Sequence, residues 1–419
     1  MMNRKCMICG SVLSEPLFSA DNMPLGAQAM PTGEEIKAGL DHGIRLDLKR
    51  CPVCGLTQFD CEPVEYYKKV IRAVGLSKTM QDLRRDDYRH LIDAYGMDGG
   101  KWIECGCGNG DFLKVLKEFP VEIYATEADS GNVSVAREQL GLAEDHIMEF
   151  FPDRADMDIP GAPFDVFLSF NFLEHQPDPV SMLGCMYRNL RDGGVGLITV
   201  PSFEYILQEG RYYELVRDHI ANYDLPALTG LCRRCGFEVL EQGYIGIGDT
   251  LRVVVRKPAS GTESDGPGLS GNSDGIAFYE KNTEKIETIL NTAKYLVLGR
   301  NYKEISTGIE AYMKRLSAEG RSIAMWGASH QGFTIAATTA LKDHVRYIID
   351  SAPFKQGRFA PASHLPIVSP EHYLTDPVDV ILIAAPGYIR EIEASIRERY
   401  AGTAAGVPAI CDVLSFEER

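Results

Sequence analysis

Apolar and polar positions divide the 419-residue chain into four stretches. Residues 1 to about 64 are rich in Cys, Gly and Pro and show little periodicity. From 65 to about 256, short apolar runs alternate with helical patterns. The runs KWIEC, VEIYATE, FDVFLSF, GVGLITVP, FEVLEQGYI and TLRVVVRK predict strands. Strands alternating with helices predict a parallel sheet covered on both faces, and the last two runs predict an antiparallel pair at its end. Residues 257–275, around PASGTESDGPGLSGNSDG, read as a flexible linker by composition. Residues 276–419 open with a long helical stretch, FYEKNTEKIETILNTAKYLVLGRNYKEISTGIEAYMKRL, and return to strand runs at SIAMWGAS, VRYIIDS, DVILIAAP and PAICDVL. These predict a second, smaller α/β sheet. No short repeat is visible. The expected class is α/β, with a small irregular N-terminal module, a sheet domain over 65–256 and a C-terminal sheet domain over 276–419.

Composition narrows the setting. No run of about 18 apolar residues occurs, so no membrane helix is expected. The start, MMNRKCMICG, has no apolar signal core, which predicts a cytoplasmic protein. Eleven cysteines in such a chain predict thiols and metal ligands rather than disulfides. A formal charge of −16 argues against broad nucleic-acid or membrane binding. It leaves room for a phosphorylated small molecule, which needs only local cations. The stretch Tyr66 to Tyr95 carries Lys68, Lys69, Arg72, Lys78, Arg84, Arg85 and Arg89, and reads as a solvated helix face.

Two cysteine pairs share one spacing. CMIC places Cys6 and Cys9 two residues apart, and CPVC does the same for Cys51 and Cys54. Each pair is followed by Gly, which fits a tight turn around an ion, and two pairs complete a tetrahedral zinc site. The 41-residue gap is longer than a usual zinc ribbon, and two unrelated pairs of reduced thiols are the alternative. A short irregular region needs a staple, which favours zinc. Cys232 and Cys235 have the same spacing in a helical context with no second pair nearby, and read as buried or half-buried thiols. Cys105 and Cys107 read as small fillers.

The stretch KWIECGCGNGDFLKVL, starting at Lys101, holds Gly106, Gly108 and Gly110 between a strand and a helix. Such a turn lets backbone approach a ligand at the carboxyl end of a sheet. Alone it is weak, since NAD and FAD sites use the same device. Glu104 ends the strand, and Glu127 ends the next one about twenty residues on, where a carboxylate accepts bonds from ribose hydroxyls. SFNFLEHQPDP follows FDVFL and brings Asn171, Phe172, Glu174 and His175.

This set, ECGCGNG with Glu127 and FLEHQPDP, resembles the class I S-adenosylmethionine (SAM) methyltransferases, over about 190 residues. The resemblance implies a Rossmann-like sheet with SAM held by Glu104, Gly106, Gly108, Gly110, Glu127, Asn171, Phe172, Glu174 and His175. The LEH stretch has no role in an NAD reading.

Transfer of a methyl then needs a base. Beyond GLITVP, past the carboxyl end of a strand, lies an aromatic-rich segment with Tyr212, Tyr213 and Tyr223 and an Asp218–His219 pair. Histidine accepts a proton well near neutral pH. The order of zinc module, SAM domain and C-terminal Rossmann-like lobe resembles the sugar C-methyltransferase family, across essentially the whole chain. That family shows YHEHxSYFS, GASxKG and DxxPxKQGxxxPG, where this chain has VRDHIANYD, GASHQG and DSAPFKQGRFAPAS. The resemblance implies a nucleotide-linked keto sugar as acceptor, His219 as the base that generates an enolate, and Tyr212 or Tyr213 as hydrogen-bond donor to its oxygen. Zinc would be structural, and the enzyme a monomer or homodimer. The chain departs from the family at Val216, Gln331, Ala362, the GDTLR stretch at Gly248–Arg252, and Ala385–Pro386. These changes leave O-methylation of a sugar or other hydroxyl open. In the last lobe, the GASHQG turn and Lys355–Arg358 read either as a grip for sugar-nucleotide phosphates at a helix N-terminus or as a turn that only closes the site.

Overall fold

The structure is a computed structural model that describes residues 5–69, 77–259 and 292–418. Most of the 257–275 stretch, Arg72, and the opening of the long helical stretch after residue 276 lie outside the described residues. The strands are β1 (Phe18–Met23), β2 (Ile44–Arg50), β3 (Thr57–Phe59), β4 (Lys101–Cys105), β5 (Glu122–Glu127), β6 (Ile147–Glu149), β7 (Phe164–Phe170), β8 (Leu190–Pro201), β9 (Ala221–Asn222), β10 (Glu238–Ile245), β11 (Thr250–Arg256), β12 (Ile323–Trp326), β13 (Ile348–Ile349), β14 (Ile367–Val368), β15 (Val380–Ile383) and β16 (Ala409–Asp412). They fall into two compact units. The first holds residues 1–15, 49–205 and 219–291. The second holds 16–48, 206–218 and 292–419.

In the first unit seven strands run in the order β10-β11-β8-β7-β4-β5-β6. β4 pairs in parallel with β5 and β7, β5 with β6, and β7 with β8. β11 runs antiparallel to β8, and β10 antiparallel to β11. The six expected strands are all present, and the pair at the end is antiparallel as expected. β6 was not expected, because three residues are too few to show a period. The central strands β4, β5 and β7 are buried on both faces and so are mostly apolar rather than alternating, whereas the edge strand β10 is half-exposed. Ile103 and Phe167 pack into one layer, and Trp102, Val166 and Leu168 into the other. Strand order reverses between β4 and β7, the place where open α/β sheets bind ligands at their carboxyl ends.

Of the two expected states, buried or half-buried, Cys232 and Cys235 show the first: they sit in the helix Leu225–Arg234 and at its end, both fully buried. The helix Lys78–Tyr95 starts later than the basic stretch implied, at the Ser77 cap, whose hydroxyl accepts the Met80 amide. Its reading as a solvated face is corrected at Arg84, which is 1% exposed. Arg84 lies 3.9 Å over the Phe170 ring and pairs with Asp87 at 2.7 Å.

The second unit has a five-stranded parallel sheet in the order β14-β13-β12-β15-β16. The four runs expected there form β12, β13, β15 and β16. The two-residue β14 was missed for the same reason as β6. β1 pairs antiparallel with β2 in this unit. Cluster residues Ala324, Ile349, Ile381 and Tyr400 fill one side of the parallel sheet.

Candidate active site and cysteine cluster

The glycine turn begins where β4 ends at Cys105. Gly106, Gly108 and Gly110 have φ of 72°, 56° and 83°, a region that costs side-chain-bearing residues energy. A Cβ on Gly106 would meet the Phe172 ring at 2.5 Å, and one on Gly110 would meet Ala136 and Leu140 at 3.1 Å. A Cβ on Gly108 would meet nothing within 4 Å. The outer two glycines are therefore required by the chain's own packing, and Gly108 presents bare backbone to open space. Its amide donates to Glu127 Oε2 at 2.8 Å, while Glu127 Oε1 accepts the Asp129 amide at 2.9 Å. Burial raises the Glu127 pKa against these bonds. A buried carboxylate at the end of β5, tied to the open glycine, is what adenosyl-ribose binding requires, so these residues fit SAM. Cys105 and Cys107 are buried, and desolvation pushes both thiols up, which suits fillers rather than ligands.

β7 leads into the LEH stretch. Asn171 adopts φ 49°, donates its amide to the Thr199 carbonyl at 2.8 Å and accepts from Thr199 Oγ1 at 3.2 Å. Phe172 is half-buried against Gly106 and 5.5 Å from Phe151. Leu173–His175 form one 3₁₀ turn. Asp178 and Pro179 then start the helix Pro179–Asn189: Asp178 accepts the Ser181 amide at 3.0 Å, and Pro stands at its first position. Glu174 is 2% exposed, and burial pushes its carboxyl up to about 8. Its Oε2 has no hydrogen-bond partner among the described residues. Its Oε1 lies 3.9 Å from His175 Nε2. The His175 and His219 rings meet edge to face, 4.8 Å apart. Glu174, His175 and His219 thus lie together, their ligand atoms within 4.8 Å of one another, in the unit that carries the glycine turn.

Asp218 and His219, neighbours in sequence, belong to different units. Asp218 Oδ2 accepts the Ala27 amide at 2.7 Å. Tyr212 and Tyr213 are buried in the second unit. Tyr212 packs on Tyr302 and Phe18, and its hydroxyl meets Thr338 Oγ1 at 3.3 Å.

The four expected cysteines converge. Cys6 and Cys54 sulfurs are 3.3 Å apart and Cys9 and Cys51 sulfurs 3.4 Å, too long for a disulfide bond of about 2.05 Å. All four ligand atoms lie within 4.8 Å of one another. A tetrahedral thiolate site with zinc–sulfur bonds of about 2.3 Å needs similar spacing. Gly10 and Gly55 amides close the two loops onto the Cys6 and Cys51 carbonyls at 2.9 and 3.1 Å. The long gap between the pairs is explained by residues 16–48, which fold with the second unit.

The sequence reading missed Arg50 and placed Arg84 on a solvated face. Arg84 Nη2 reaches Thr199 Oγ1 at 3.5 Å, one bond from Asn171. The signal was Asp87 three residues on, an acid on the same helix face. Arg50 is 2% exposed and pairs with Asp224 at 3.0 Å, next to Cys51.

Two family models match the chain. A methyltransferase domain matches residues 80–242, and a C-methyltransferase C-terminal domain matches 250–408. C-methyltransferase NovU of Streptomyces niveus is 23% identical over 406 residues, covering 93% of this chain and 91% of its own. The chain thus carries a methyltransferase domain followed by a C-methyltransferase C-terminal domain, and is a SAM-dependent methyltransferase. The methyltransferase is also 27% identical over 146 residues to a ubiquinone biosynthesis O-methyltransferase of Pseudomonas aeruginosa, covering 62% of that protein. A SAM-dependent methyltransferase from Aquifex aeolicus overlays on 42% of this methyltransferase and 93% of its own chain, with 16% identity and a TM-score of 0.34.

The methyltransferase has no helix, among the described residues, that is long and apolar enough to cross a membrane. In its second unit the GASHQG turn follows β12 at the point where strand order reverses. Ser329 caps the helix His330–Thr338 through the Gly332 amide at 3.2 Å. Glu214 accepts from His330 Nε2 at 3.0 Å and from Gln331 Nε2 at 2.7 Å. Lys355 is held by Asp350 at 3.2 Å and by the Ala328 carbonyl at 2.9 Å. Of the two cations expected to meet a pyrophosphate, Lys355 is therefore already engaged inside the unit, and Arg358 is exposed.

Proposed function

We propose that this methyltransferase adds a methyl group to carbon 3 of a nucleotide-linked keto deoxysugar. The observation that carries the reading is His219 in ring contact with His175, in the unit that presents Gly108 and Glu127. Similarity to a C-methyltransferase along 93% of the chain supports carbon as the acceptor. Glu104, Gly106, Gly108, Gly110, Glu127, Asn171, Phe172, Glu174 and His175 would hold SAM. When bound, SAM supplies a sulfonium methyl that a carbanion-like carbon can take up.

His219 removes the proton beside the sugar ketone, and the electron pair left behind is shared between carbon and the ketone oxygen as an enolate. The carbonyl re-forms as the carbon gains its methyl, and the proton on His219 passes to solvent. Asp218 orients the segment leading to His219. Cys6, Cys9, Cys51 and Cys54 would hold zinc with every position filled by thiolate, a structural role. The proposal includes domain borders at 64/65, 256/257 and 275/276, a small-molecule acceptor rather than nucleic acid or membrane, a cytoplasmic setting for eleven free thiols, and a monomer or homodimer.

A thymidine diphosphate-linked 4-keto-6-deoxyhexose is a direct probe of this reading. With SAM it should yield a product whose new methyl resonates as carbon-bound in NMR. A methoxy resonance instead would establish the second reading, O-methyl transfer, which the ubiquinone-pathway relative and the changes at Val216 and Gln331 support. His219→Ala should abolish turnover and leave SAM affinity nearly unchanged. Full turnover in that variant removes His219 as base.

A further inference from the structure

The segment that carries His219 is held from the cysteine cluster. Asn222 Nδ2 donates to the His219 carbonyl at 3.4 Å. β9, two residues past His219, pairs with β3, Thr57 against Asn222 and Gln58 against Ala221. The Phe59 amide adds a bond to the Ile220 carbonyl at 3.1 Å. β3 follows Cys54 by only two residues. The Gln58 side chain, 0% exposed, turns toward the other cysteine loop. Its Oε1 accepts the amide of Met7, between Cys6 and Cys9, at 2.9 Å, and its Nε2 donates to the Lys5 carbonyl at 3.4 Å. A buried amide whose two ends are satisfied by one loop, on a strand paired beside the base, links the two sites rigidly.

We propose that Gln58 is a positioning residue for methyl transfer, fixing the strand beside His219 to the first cysteine loop so that the state of the four-cysteine cluster sets where the imidazole stands. This rests on His219 being the base. It adds that the cluster acts on the reaction through one side chain, beyond stapling the N-terminal region. Loss of the ion, or oxidation of the thiols, releases Met7, then Gln58, then the β3–β9 pairing.

The test uses the full chain with labelled histidine. The His219 cross-peak is identified by its disappearance in His219→Ala. Gln58→Leu keeps the volume and removes both hydrogen bonds, while Gln58→Glu keeps an acceptor for the Met7 amide. The His219 peak should move in Gln58→Leu and return toward its native position in Gln58→Glu. Peaks of His330, His344, His364 and His372, all in the second unit, should stay, and the SAM dissociation constant from calorimetry should change less than about twofold, since the glycine turn is untouched. Wild-type protein stripped by a chelator under reducing conditions should show the same movement, reversed by added zinc. That arm decides the matter if Gln58→Leu does not fold. An unmoved His219 peak in folded Gln58→Leu, or in stripped protein, overturns the proposal, as does equal movement of all the histidine peaks. Turnover of His219→Ala tests the base assignment separately.

Discussion

Two glycines of one turn should fail in different ways when given a methyl group. Gly106 and Gly108 both have positive φ, so alanine costs roughly 1–2 kcal/mol at either position from backbone strain. At Gly106 the new Cβ also lies 2.5 Å from the Phe172 ring, below any normal carbon contact. The half-buried ring must shift, which adds about 1–3 kcal/mol of overpacking. Gly106→Ala should therefore lose about 2–5 kcal/mol of folding stability by urea titration. Gly108→Ala meets no atom of its own chain and should lose only the backbone share. Its Cβ instead occupies the space where the donor's adenosyl half would press on bare backbone. SAM affinity by calorimetry should fall more than tenfold, about 1.4 kcal/mol, in a protein that is otherwise well folded. Wild-type SAM affinity in Gly108→Ala would refute this reasoning, because it would put the ligand away from the glycine of this turn that faces open space.

Glu174→Gln should change how stability depends on pH. The buried carboxyl stays protonated to about pH 8 in the folded state, whereas the unfolded one ionises near 4.5. Between these values the unfolded chain binds fewer protons, so wild-type stability falls as pH rises, by up to about 1.4 kcal/mol per unit. The glutamine variant should be closest to wild type near pH 5 and gain on it toward pH 8 in urea titrations; a constant difference would contradict a buried neutral acid. Arg50→Met strands the buried Asp224 and should cost about 3–5 kcal/mol, whereas Arg45→Met, from an exposed pair at 3.4 Å, should cost under about 1 kcal/mol. Both are read by chemical denaturation. Cys51→Ser should lose bound metal by elemental analysis while Cys235→Ser, with its sulfur buried in a helix end, keeps it; equal metal content in the two variants would count against the cluster.

Long strands were readable because their apolar runs exceed any turn. β7 and β8 lie inside the sheet, and their sequences show it directly. β6, β9 and β14 have two or three residues each, below the length at which a period exists. β1 to β3 were hidden for another reason: the region's many Cys, Gly and Pro residues mask short pairings that only long-range partners complete. The cysteine cluster was readable from spacing, since two pairs with one loop geometry converge on one point. The partition of the base segment was not. Tyr212 and Tyr213 look like company for His219 in the sequence, yet Tyr212 packs against Phe18 and Tyr302 of the second unit. Arg84 shows the same limit on charged residues. Seven cations on one stretch resemble a wet surface until an edge-to-face aromatic pair, Phe112 and Phe170, claims one of them.

Residues 16–48 and 206–218 are built from early and middle parts of the chain but belong with its last 128 residues, 292–419. On the ribosome they emerge long before their partners, at about 5–20 residues per second. The first unit can gather around its cysteines and its seven-stranded sheet while β1 and β2 wait. A protein cut after β11 would leave those strands orphaned. Exchange of the C-terminal lobe between relatives must carry both excursions with it.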